Sequence, residues 1–84
     1  MPVQKIMIVG GTSAIAEQVA RRLAATGTAI HLTGRDSARL AVIAADLRAR
    51  GAAQVSCERL DVADPAALDG ALARASAALG GLDA

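Results

Sequence analysis

Between Lys5 and Ala16 the chain reads Lys-Ile-Met-Ile-Val-Gly-Gly-Thr-Ser-Ala-Ile-Ala. An apolar run gives way to a glycine pair, two hydroxyl residues and the start of an amphipathic repeat. If a strand enters and a helix leaves, Gly10 permits the tight turn between them. The first N–H groups of that helix then point outward without intrahelical partners, beside the positive end of its dipole. That is a setting for a phosphate or pyrophosphate. Thr12 and Ser13 bring hydroxyl donors to the same place. A plain tight connection would use the same glycines, so the surrounding elements decide between the two readings.

Those elements are legible. Lys5-Ile6-Met7-Ile8-Val9 is almost continuously apolar, as a strand buried on both faces is. A first helix is expected from Ala14 to Thr26, with Ile15, Val19 and Leu23 on one stripe and Gly27 beyond it. Ala16 and Ala20 let it lie close to a sheet, while Glu17, Arg21 and Arg22 decorate its exposed side. Thr28 to Thr33 reads as a second strand. A second helix starts at Asp36 or Ser37, with Leu40, Ile43, Ala44 and Leu47 at helical spacing before Gly51. Gln54 to Asp61 alternates like an edge strand. For the third helix, Asp64 takes the N-cap and Pro65 the first helical position. Leu68, Leu72, Ala75 and Leu79 are its expected buried face, and Gly80-Gly81 closes it.

Strand, helix, strand, helix, strand, helix with short connections implies parallel pairing and right-handed crossovers. The expected architecture is α/β, a doubly wound parallel sheet of Rossmann type reduced to βαβαβα, with strand order 3-2-1. Gly81-Leu82-Asp83-Ala84 reads as entry into a fourth strand.

Composition narrows the function classes. The 84 residues are 54% hydrophobic and carry 22 alanines, but contain no Phe, Trp or Tyr. Aromatic stacking of single-stranded nucleic acid is excluded. A net charge of +1 without a basic run gives no electrostatic reason for a nucleic-acid or membrane partner. The single Cys57 forms no intramolecular disulfide, and no His/Cys spacing fits a metal site. A cytoplasmic location is expected. His31, inside a strand, and Cys57 read as packing residues.

With the loop set between such a strand and helix, the chain resembles the short-chain dehydrogenase/reductase family, whose loop reads TGxxxGxG. Gly10 matches the first glycine; Ala14 and Ala16 stand at the second and third, and Val9 replaces the threonine. The resemblance implies that Gly10, Thr12, Ser13, Ala14 and Ile15 hold the pyrophosphate of a dinucleotide. Leu32-Thr33-Gly34-Arg35-Asp36 resembles the Gly-Arg pair of NADP-preferring members. An acid there binds the ribose of NAD, whereas the Arg35 guanidinium clasps a 2′-phosphate. NADP is therefore expected over NAD, with Asp36 taken as a helix cap. Leu60-Asp61-Val62 resembles the pair that meets adenine. Asp61 would accept from the adenine amino group and Val62 would supply a wall; alone, Asp61 fits equally a turn towards the Asp64-Pro65 helix start, and beside the other two sites the adenine reading gains.

The family's catalytic Ser and Tyr-x-x-x-Lys cannot be carried onto this chain. It has no tyrosine, and Lys5 is its one lysine. The resemblance thus implies residues 1–84 as the amino-terminal cofactor-binding part of one Rossmann domain. In a longer oxidoreductase, hydride would pass between NADP and a carbonyl or alcohol substrate, in a protein expected to be a homo-oligomer. A non-catalytic NAD(P)-binding or redox-sensing module is the alternative. A P-loop is disfavoured by the lack of a Gly-Lys-Ser/Thr, and a methyltransferase-like site by Gly34-Arg35 at the place of its ribose-binding acid.

Overall fold

The computed structural model describes residues 3–10, 14–61 and 65–83. They form β1 (Lys5–Ile8), α1 (Ala14–Ala25), β2 (Ala29–Gly34), α2 (Ser37–Ala49), β3 (Gln54–Arg59) and α3 (Pro65–Leu79). The strands make one sheet in the order β1-β2-β3, parallel throughout. This is the expected 3-2-1 arrangement.

Register puts Ile6, Ile30 and Val55 side by side, and likewise Met7, His31 and Ser56. Because side chains alternate across a strand, Ile30, Leu32 and Val55 share one face. There they join Ala20 and Ala24 of α1 and Leu40, Ile43, Ala44 and Leu47 of α2 in the core. The other face, with Lys5, Gln54 and Glu58, lies under α3. Lys5 Nζ donates to Gly80 O at 3.0 Å, Gln54 Nε2 to Ala78 O at 2.8 Å and Arg74 Nη2 to Glu58 Oε2 at 2.9 Å.

All six residues of β2 are buried, as in a central strand with helices on both faces. The apolar β1 is only half-buried, since β2 is its one paired strand among the described residues. Its other edge meets the tail: Asp83 N donates to Lys5 O at 2.7 Å, and Lys5 N donates to Asp83 Oδ2 at 2.8 Å. The expected approach to a fourth strand is present as that single backbone bond.

The helices differ in how well periodicity foretold their inner faces. In α2 all four expected residues are buried. In α1 the stripe is displaced: Ile15 and Val19 are exposed, Leu23 reaches the edge of the core, and Ala20 and Ala24 face the sheet. Small side chains bring helix and sheet backbones close, and that contact wins over burial of the larger residues at the helix flank. The same shift occurs in α3, where Ala71, Ala75 and Leu79 are buried and Leu72 is exposed. The expected cap Asp64 lies outside the described residues.

Glu17 and Arg21 do not merely decorate a surface. Glu17 accepts from Arg21 at 2.8 Å and from Arg39 at 3.1 Å, and Arg21 reaches Asp46 at 3.3 Å. These contacts fix α1 against α2. Cys57 is exposed rather than packed, because on β3 the helical cover reaches Val55 and stops short of it.

Candidate dinucleotide site

Parallel strands end together, so their following turns gather on one edge of the sheet. β1 leads into Val9 and Gly10. Gly10 has φ +75°, a conformation that a side chain makes costly, although a Cβ there would meet nothing within 4 Å. The requirement is therefore for the backbone turn, as expected. Ala14 and Ile15 open α1 and both are exposed; Ile15 lines a shallow hollow with Val19, Gln18 and Arg22. Thr12 and Ser13 fall outside the described residues, as does Val62.

A link between β1 and β2 supports this edge. Thr33, fully buried, donates from Oγ1 to the carbonyl oxygen of Ile8 at 3.1 Å. The ends of the two strands are thereby fixed beneath the glycine turn. In sequence Thr33 is one more β-branched strand residue, and only strand register makes it a fastener.

Gly34 ends β2 buried, and its carbonyl accepts from Leu60 N at 2.8 Å. Arg35 follows, exposed. Asp36 has φ −107° and ψ 99°, and its Oδ1 accepts from Arg39 N at 3.1 Å. That carboxylate caps α2, as expected. β3 ends at Arg59, whose Nε donates to the carbonyl oxygen of Arg35 at 3.2 Å. Leu60 is buried and Asp61 exposed immediately beyond it. Gly10, Arg35 and Asp61 thus follow three successive strands at one edge, where open α/β sheets receive ligands.

Elsewhere, His31 is buried, with Nδ1 2.6 Å from Ser56 Oγ. Burial lowers its pKa, Glu58 raises it and Arg74 lowers it. This histidine lies within the sheet under α3, away from the strand ends, which supports its reading as structural. Among the described residues no His, Cys, Asp and Glu gather as metal ligands, and no helix is long and apolar enough to cross a membrane.

A parallel βαβαβα sheet with a left-handed glycine after β1 and an arginine after β2 defines a Rossmann-type nucleotide-binding unit. The comparisons agree. The short chain dehydrogenase family matches over residues 4–84, and the chain belongs to that family. A search of curated protein sequences gave no match. Among solved structures, a short-chain type dehydrogenase/reductase from Mycobacterium ulcerans is 28% identical with a TM-score of 0.84, covering 98% of this chain and 31% of its own. An NADH-dependent reductase complexed with NAD is 26% identical, with a TM-score of 0.86 over 96% of this chain and 34% of its own. A metagenomic short-chain oxidoreductase in complex with NADP is 25% identical, with a TM-score of 0.86 over 95% of this chain and 36% of its own. The chain therefore spans about a third of the length of these structures.

Proposed function

We propose that this chain is the NADP(H)-binding part of an oxidoreductase domain that moves hydride between NADP and a carbonyl or alcohol substrate. The observation that carries the NADP reading is the turn after β2. Gly34 is buried at the position of the ribose acid, Asp36 is committed to the α2 cap, and Arg35 is exposed between them. A guanidinium there favours a 2′-phosphate by parallel charge-assisted hydrogen bonds, which a carboxylate would oppose.

When bound, the cofactor supplies the hydride chemistry through its nicotinamide. The chain's own residues bind and orient it. Gly10 makes the turn beneath the pyrophosphate, with Thr12, Ser13, Ala14 and Ile15 around it. Arg35 holds the 2′-phosphate, and Asp61 and Val62 take the adenine. Proton transfer to a substrate oxygen is not assigned to any of them. Lys5 is engaged with Gly80 O at the opposite end of β1, and there is no tyrosine. A longer reading frame without a Tyr-x-x-x-Lys pair beyond residue 84 would favour the second reading, an NAD(P)-binding or redox-sensing regulatory module without chemistry.

Titration of NADP and NAD against the chain tests the cofactor assignment. Tighter binding of NADP supports it, and Arg35→Asp should then weaken NADP far more than NAD. Equal or tighter binding of NAD overturns it.

A further inference from the structure

The turn that carries Arg35 is itself held by a second arginine. Parallel register sets Arg59, the last residue of β3, opposite Gly34, the last residue of β2. From there Arg59 Nε donates to the carbonyl oxygen of Arg35 at 3.2 Å. Both arginines are exposed. The nearby Arg39 differs, because its guanidinium is engaged by Glu17 at 3.1 Å. A carbonyl oxygen is the partially negative end of its peptide unit, and here it belongs to the residue proposed to meet an anion. The bond from Arg59 has two consequences. It fixes the peptide from which the Arg35 side chain departs, and it sets a positive charge against that backbone acceptor.

We infer that Arg59 is a positioning residue for 2′-phosphate recognition, acting through the backbone of Arg35 and through its own charge. This rests on the NADP reading above. The effect should be specific to the phosphate, because NAD presents a neutral 2′-hydroxyl at the same place. Arg59 lies beyond the helix-covered part of β3, so its replacement leaves the core untouched.

The test is titration of NADP, NAD and adenosine 2′,5′-bisphosphate against the wild-type chain, Arg59→Met, Arg59→Lys and Arg35→Asp, with circular dichroism reporting folding of each. Arg59→Met should weaken NADP and the bisphosphate by about tenfold, the scale of one charge-assisted contact, and leave NAD within about twofold. Arg59→Lys keeps the charge and changes the donor geometry, so it should fall between. If Arg59→Met or the folded Arg59→Lys weakens NADP and NAD equally, or neither, the inference fails while a loss of NADP preference in Arg35→Asp keeps the cofactor reading. If the wild-type chain shows no preference for the 2′-phosphate, the reading and the inference fall together.

Discussion

The hydroxyl of Thr33 donates to the carbonyl oxygen of Ile8 at 3.1 Å, joining the carboxyl ends of β1 and β2 from a fully buried position. The glycine turn and the arginine turn leave the sheet on either side of that bond. The turns that begin at Gly10 and Arg35, proposed to hold two parts of one ligand, are thereby referenced to each other.

Thr33→Val tests this link. Valine keeps the shape but removes the donor, and a lost buried hydrogen bond costs about 1–2 kcal/mol. Urea denaturation should show that loss. Titration should show weaker binding of NADP and NAD alike, since the 2′-phosphate is not involved.

Asp36 separates a structural from a ligand role. Its carboxylate accepts from Arg39 N at the start of α2, so Asp36→Ala should cost about 1 kcal/mol of stability, the usual worth of an N-cap. The ratio of NADP to NAD affinity should stay as it was. A gain in NADP selectivity would instead mean that the carboxylate had been facing the ribose.

Ala14 puts a methyl group in the exposed first turn of α1, at a position where the family loop carries glycine. Ala14→Gly should tighten dinucleotide binding several-fold by relieving crowding at the pyrophosphate. It should also lower stability by up to about 1 kcal/mol, the helix cost of glycine. Affinity and melting temperature moving in opposite directions is the expected signature.

His31 sets a pH dependence. Its folded pKa is lowered from 6.5, by burial first, with Glu58 raising it and Arg74 lowering it. The unfolded chain therefore binds the proton more readily. Stability is fully present above the unfolded value of 6.5 and falls as pH drops below it. The Nε2 atom, buried without a hydrogen-bond partner among the described residues, gives the added proton no acceptor. Glu58, lowered from 4.5 chiefly by its hydrogen bond to Arg74, adds its own loss at lower pH. His31→Gln should flatten the urea midpoint between pH 7 and 5 (roughly the histidine window) while leaving the Glu58 slope below it.

How much of this was legible before the structure depends on the kind of contact. Strand order and helix placement follow from punctuation by glycine and proline and from short connections. The inner face of α2 follows from one apolar stripe of large residues. On α1 and α3 the same reasoning chose the larger side chains Ile15, Val19 and Leu72. The sheet takes Ala20 and Ala75, as expected, and with them Ala24 and Ala71 in place of those larger residues, because close backbone approach favours small residues and periodicity does not measure it. The roles of Thr33 and Arg59 were not legible. Each depends on which strand residue stands beside which, across 25 and 24 positions of chain. Gly10, Arg35 and Asp61 could be named from the loop pattern, and the sheet gathers the turns that carry them.

The most direct measurement is the pair of dissociation constants for NADP and NAD in the wild-type chain and in Arg35→Asp. The wild type should bind NADP more tightly, and the variant should lose or reverse that preference. A wild-type chain that binds NAD as well as or better than NADP, or a variant that keeps the preference, contradicts it.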